Sequence, residues 1–213
     1  MENSSTSVED VRPKMSLHEA SKDLKYLLNR GYNKQSALTF VCNHYQLEQK
    51  DRHFLARTVF ADELISTITE KKLPIEEIQG KDVVIDGFNV LITVEAVLKN
   101  EAILCDDSVV RDTQAVFGKY KISKTTERAL QEIYSVLKEY PPRTVTFYFD
   151  KQVSHSGDLC SAVRQHFPCE TVTHVDLLLQ TLNKITATSD SVLIQKLDHF
   201  VDIPFEILLS KNL

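Results

Sequence analysis

Apolar residues along this chain follow two rhythms, and the change between them falls near residue 75. In the first part they recur every three or four positions, the spacing of a helix that buries one face. Leu17, Ala20, Leu24, Leu27 and Leu28 form the first such stripe, opened by the S-x-x-E capping box of Ser16 and Glu19 and stopped at Gly31. Asn33 reads as the cap of a second helix carrying Ala37, Leu38, Val41 and Tyr45, and a third covers 50–68 with Phe54, Leu55, Val59 and Phe60 turned inward. Three short helices predict a small helical domain over 16–70, with helix-turn-helix among its options. Residues 1–15 are polar and aperiodic and read as a disordered tail, while Pro74 and Gly80 mark 71–81 as a linker.

From residue 82 onward short apolar runs alternate with helical stripes. Strands are predicted at 83–85, 102–105, 144–149, 170–174, 186–188 and 200–202, and helices at 90–98, 125–140, 157–167, 176–183, 191–197 and 205–209. Such alternation implies an α/β domain over 82–213, with a mostly parallel sheet covered by helices on both faces.

The strand ends carry the chemistry. Ligands of open α/β sheets bind beyond the carboxyl ends of the strands. Asp86 closes the first predicted strand, Asp106 and Asp107 follow the second, and Asp150 follows the third. Asp176 follows the fourth, Asp190 the fifth, and Asp202 closes the last. One aspartate at a strand end is a turn residue, whereas a set of them is a constellation. Converging carboxylates repel one another until protons or a cation neutralise them, and hard oxygen donors suit Mg²⁺ or Mn²⁺. A bound cation of that kind activates water for attack on a phosphodiester. Neither G-x-x-x-x-G-K-[ST] nor G-x-G-x-x-G occurs, which argues against P-loop and dinucleotide chemistry. Ser154 and His155 near Asp150 allow a Ser/His/Asp hydrolase on paper, but the G-x-S-x-G elbow is missing.

Composition narrows the setting. Hydrophobic residues make up 42% and charged residues 26% of 213, enough for a genuine core. No apolar run approaches the roughly 20 residues of a membrane span, and MENSSTSVED lacks the features of a signal peptide, so a cytoplasmic protein is expected. The net charge of -5 argues against broad coating of nucleic acid and leaves room for a local basic patch. Cys42, Cys105, Cys160 and Cys169 lack metal-ligand spacing and read as reduced core residues.

IDGFNVL resembles the opening D-G-x-N motif of NYN domains, a branch of the PIN-like nuclease superfamily. YFD ending at Asp150, HVDLLLQTL with Asp176 and ATSDSVLI with Asp190 resemble that branch's later motifs in order and spacing, from residue 82 to 213. The pattern often has glycine where this chain has His174 and a further acid where it has Val192. The resemblance implies metal-dependent cleavage of RNA, with Asp86, Asn89, Asp150, Asp176 and Asp190 as catalytic residues. The same aspartates, supplemented by Asp106, Asp107 and Asp112, would hold Mg²⁺ or Mn²⁺. Inactive PIN-like members also exist, so an RNA- or nucleotide-binding module and a protein-interaction scaffold are the alternatives. The N-terminal stretch LLNRGYNKQSALTFVCNHYQLEQKDRHFLARTVF, with CDDSVVRDTQAVFGKYKIS, further resembles an uncharacterised, largely archaeal family pairing a small helical domain with a PIN-like one.

Two smaller readings stay open. The long connection 105–121 offers Arg111, Lys119 and Lys121 to phosphates and Tyr120 to a base, or it is a solvated loop over the sheet. Lys34, Lys50, Arg52 and Arg57 read as a solvated helix face, and the helical domain is the expected place for a protein partner. Asp202, before Ile203 and Pro204, reads as a turn residue.

Overall fold

The structure is a computed structural model that describes residues 12–112 and 120–211, with side chains from Ser16 onward. The chain divides into two compact units, one ending at Ile65 and the other starting at Ser66.

The first unit is helical. Helix α1 (Arg12–Asn29) begins a turn before Ser16, so Ser16 is not its cap, and Glu19 pairs with Lys22 at 3.0 Å instead of reaching back to the helix start. Its end is as expected. Gly31 takes a φ of 80°, with Gly31 N–H bonded to the Leu28 carbonyl and Tyr32 N–H to that of Leu27, a Schellman closure. Asn33 caps α2 (Lys34–His44) by accepting from Ser36 N–H at 3.2 Å. The single third helix expected over 50–68 is two helices, α3 (Gln49–Thr58) and α4 (Asp62–Lys71). Val59 is extended between them, and Asn29 Oδ1 accepts from Asp62 N–H at 2.8 Å, capping α4 from a distant part of the chain. Ala20, Leu24, Leu38, Val41 and Leu55 form the core of this unit.

Residues 71–81, expected to be a linker, are packed into the second unit. A 3-10 turn over Ile75–Ile78 buries Ile75 and Ile78 in its main core, and Leu73 N–H bonds to the Phe200 carbonyl at 2.9 Å. Pro74 and Gly80 shape this turn; they do not release the chain from the fold.

The second unit is an α/β fold. Strands β1 (Asp82–Asp86), β4 (Thr144–Asp150), β5 (Cys169–Val172), β6 (Ile185–Ala187) and β7 (Phe200–Val201) make one parallel sheet in the order β5-β4-β1-β6-β7. The chain steps outward from β1 through β4 to β5, then returns to the other side of β1 for β6 and β7. The reversal lies between β1 and β6, the crevice where open α/β sheets bind ligands. Helices α5 (Gly87–Lys99), α6 (Lys124–Glu139), α7 (Ser156–Val163), α8 (Val175–Leu182), α9 (Ser191–Lys196) and α10 (Ile203–Lys211) connect and flank the strands. Gly87 is required where β1 turns into α5. A Cβ there would stand 2.7 Å from the Phe149 ring and 2.8 Å from the Tyr148 carbonyl oxygen.

One predicted strand leaves the sheet. Ala102–Leu104 (β2) pairs antiparallel with Val110–Asp112 (β3) in a separate hairpin, so Asp106 and Asp107 lie in a hairpin loop and not at the end of a parallel strand. The loop closes locally. Ser108 has a φ of 58°, and Asp107 Oδ1 accepts from Val109 N–H at 3.3 Å. Cys160 and Cys169, expected to be reduced, are joined as a disulfide, while Cys42 and Cys105 are free and buried. None of the described helices is long and apolar enough to cross a membrane.

Candidate functional site

Asp86 is the last residue of the central strand and is only 8% exposed. Three apolar residues carry the chain to it, so the strand's own burial delivers a carboxylate into the interior. Its Oδ2 lies 3.0 Å from the Thr188 hydroxyl, which lies also 3.3 Å from Asn89 Oδ1. Asn89, one turn into α5, accepts the Ser189 N–H at 2.6 Å, and Asp190 N–H donates to Thr188 Oγ1 at 3.2 Å. The first turn of α5 and the β6–α9 connection are thus sewn together across the reversal in strand order.

Asp190 caps α9, and its Oδ1 accepts from Val192 N–H at 2.7 Å and Leu193 N–H at 3.2 Å. Asp150 turns the chain beyond β4 in the same manner, with Oδ1 accepting Gln152 N–H at 2.8 Å. Capping therefore uses Oδ1 of each carboxylate. Asp176 stands in the first turn of α8.

The electrostatics tie these acids together. Burial pushes the Asp86 carboxyl up to about 7, against the pull of the Thr188 hydrogen bond, and the charges of Asp176 and Asp190 add to the rise before the Asn89 backbone N–H opposes it. Asp176 is raised too, first by burial and then by Asp190, with Lys196 opposing and Asp150 contributing. Among the described residues no three His, Cys, Asp or Glu side chains converge into a ready-made metal cage. The donors are nevertheless hard oxygens with little cationic compensation.

Other expected site residues are engaged elsewhere. Asp107 and Arg111 form a buried bidentate ion pair, with both N–O distances 2.7 Å. Asp107 is thereby removed from the metal set and Arg111 from the phosphate contacts, because each already neutralises the other. Tyr120 does not stack on a base, since it is 4% exposed and its phenol donates into a network with Glu95 and Thr126. Lys121 is exposed, and Lys119 lies outside the described residues. Asp106 is exposed in the hairpin loop and Asp112 ends β3 opposite Ala102. The Ser/His/Asp option fails on geometry, as Ser154 Oγ donates to the Tyr120 carbonyl and His155 Nδ1 pairs with Asp158 at 3.0 Å. Asp202 is more than a turn residue. It is 3% exposed, caps α10 through Phe205 N–H, accepts Val110 N–H at 2.9 Å and faces Lys72 at 3.4 Å. A cavity of about 420 Å³ beside it, lined by Lys72, Phe205 and Glu206, shares no lining residue with the acid cluster.

Thr188 and Ser189 are the site residues that motif reading passed over. Their signal is the run of small polar residues, ATSD, between a strand and its following acid. Ser189 is 2% exposed and its hydroxyl has no hydrogen-bond partner among the described residues. His174, immediately before α8, takes a φ of 57°, which explains why a glycine would suit that position.

Residues 16–71 match a family described as a protein of unknown function, DUF434. The chain is 39% identical over 204 residues to an uncharacterised protein of Methanocaldococcus jannaschii, an alignment covering 91% of this chain and 97% of the relative. No solved structure matches. The α/β unit that carries the acid cluster coincides with a match over 75–206 to a domain of unknown function, and the chain belongs to that family, DUF5616.

Proposed function

We propose that this protein is a metal-dependent endoribonuclease of the PIN-like, NYN-type class, cutting RNA phosphodiester bonds at the carboxyl edge of its parallel sheet. One observation carries the reading: Asp86 is buried at the strand-order reversal, hydrogen-bonded to a hydroxyl and an amide, with the charges of two further carboxylates acting on it. A buried Asp86 carboxylate with no cation beside it among the described residues carries a desolvation penalty, and folds retain such groups where a ligand relieves it.

The residues fit Mg²⁺ or Mn²⁺ on two grounds. Carboxylate oxygens are the donors these ions prefer, and Mg²⁺ is commonly held by one or two carboxylates plus waters and substrate phosphate, with no full protein cage. The unpartnered hydroxyl of Ser189 is the kind of buried orphan that an ordered water or ligand satisfies. Asp86 and Asp190 would hold the ion, which supplies charge neutralisation at phosphate and a more acidic water. Thr188 and Asn89 keep Asp86 and the β6–α9 connection in register. Asp176, more open to solvent and with a raised pKa, accepts the proton that water loses as its oxygen attacks phosphorus. The bond from phosphorus to the leaving oxygen then breaks, and that oxygen takes a proton from solvent.

Purified full-length protein should cleave single-stranded or structured RNA with Mn²⁺ and stop when a chelator is added. Asp86→Asn should lose on the order of 10²–10³ in rate or more, as for other single electrostatic groups, with an unchanged circular dichroism spectrum. Equal activity in both proteins would assign the cleavage to a contaminant or another site. Val192, where the NYN pattern often has an acid, favours a second reading as an RNA-binding module. RNA bound but never cut would establish it.

A further inference from the structure

The hairpin β2–β3 carries a buried ion pair that the site chemistry does not use, and such pairs are costly to desolvate. Replacing them with apolar residues of similar volume is often neutral or stabilising, so closing a hairpin does not by itself require one. Arg111 has a third donor beyond the two that grip Asp107, and its Nε–H reaches the Ser189 carbonyl at 2.8 Å. On the other side of the same residue, Ser189 N–H is bound to Asn89 Oδ1 at 2.6 Å. Ser189 is therefore held through its backbone from both directions, by the hairpin and by α5, and its hydroxyl is left without a partner among the described residues. Its neighbours are Thr188, which binds Asp86, and Asp190. The hairpin is itself pinned. Val110 N–H donates to Asp202, and Lys72 donates to the Ser108 carbonyl.

We infer that the Asp107–Arg111 pair is a positioning device, fixing the Ser189 peptide so that Thr188, Ser189 and Asp190 present their side chains to the cation and phosphate. This rests on the nuclease reading for its consequence in catalysis, and on hydrogen bonds alone for its consequence in structure. Arg suits the task because its planar fork binds a carboxylate with one edge and keeps Nε for a further acceptor, which lysine cannot do.

The test uses the full chain with Asp107→Leu and Arg111→Met together. Its melting temperature should stay close to that of the wild type, relief of the pair's desolvation offsetting the lost bonds to Val109 N–H and the Ser189 carbonyl. Hydrogen exchange at the Ser189 and Asp190 amides should accelerate by about tenfold or more as the connection opens locally. RNA cleavage should fall by about 10–100-fold, the usual effect of losing a group that orients site residues, with the loss in kcat and not in KM. A purely structural pair predicts the reverse, lower stability with per-molecule activity intact. Unchanged amide protection, or lost protection with kcat preserved, overturns the proposal. Should the double variant fail to fold, Arg111→Lys keeps a cation facing Asp107 and removes the Nε donor. Faster exchange at Ser189 in that variant supports the clamp, and unchanged exchange rejects it. A wild type that cleaves no RNA removes the nuclease reading, and the exchange comparison then decides the clamp on its own.

Discussion

Asp107 and Asp202 are as buried as Asp86, yet their surroundings differ in kind. Asp107 meets the Arg111 guanidinium at 2.7 Å on both oxygens, and Asp202 meets Lys72 at 3.4 Å together with two backbone N–H groups. Asp86 meets a hydroxyl, an amide and the charges of two other aspartates. The first two each have a cation set against them inside the fold. In the second region the charges acting on the buried carboxyl are those of other carboxylates. Burial is common to all three acids, and the charge of the partner is what separates them.

Removing the answering cation is the harshest way to probe the scaffold side. Arg111→Ala leaves Asp107 buried and uncompensated, and should cost about 3–5 kcal/mol of stability in urea unfolding. A loss under 1 kcal/mol would mean that water reaches Asp107 and that the pair is not an anchor.

The pH dependence of stability probes the other side. Asp86 titrates near 7 in the fold, above the ordinary aspartate value of about 3.9 in the unfolded chain. Between those values the folded protein holds a proton that the unfolded chain has released. The stabilisation is fully present below about pH 4 and is lost as pH rises through about 7, on the order of a few kcal/mol in total. Burial raises Asp202 as well, with Lys72 opposing, so it contributes a slope of the same sign. The comparison that isolates Asp86 is therefore wild type against Asp86→Asn, without metal, from pH 5 to 8. The variant should show the flatter profile and be the more stable protein at pH 8. Identical profiles would place the Asp86 pKa near its ordinary value and remove the electrostatic part of the site.

The smallest effect concerns backbone. His174 holds a left-handed conformation at the start of α8, beside Asp176. His174→Gly should raise stability by up to about 1 kcal/mol, since relief of the left-handed strain exceeds glycine's extra freedom in the unfolded chain. A destabilised variant would show that the His174 side chain makes interactions worth more than that strain.

Much of this was legible in the sequence where the signals were local. The run VVID followed by G-F-N encodes a buried strand, a close approach that only glycine allows, and an asparagine one turn into a helix. Gly31 and Asn33 likewise act within a few residues of themselves. What the sequence hid depends on partners far along the chain. The break between α3 and α4 is masked by Val59 and Phe60, which continue the apolar periodicity, and the cap that starts α4 comes from Asn29. β2 and β3 are three residues each, too short for periodicity to reveal an antiparallel pairing. Arg111 and Tyr120 looked like substrate contacts because their partners, Asp107 in a loop and Glu95 on α5, become partners only once the chain is folded.

We propose that the acids at the β1–β6 crevice take up a divalent cation. Titration calorimetry of Mn²⁺ into metal-free full-length protein, with Asp86→Asn and Asp202→Asn alongside, tests it most directly. Binding should appear in the wild type, persist in folded Asp202→Asn, and vanish or weaken by at least about tenfold in Asp86→Asn, the order of loss expected when a group that holds or orients a metal is removed. No heat of binding in the wild type, or equal affinity in Asp86→Asn, would contradict the account.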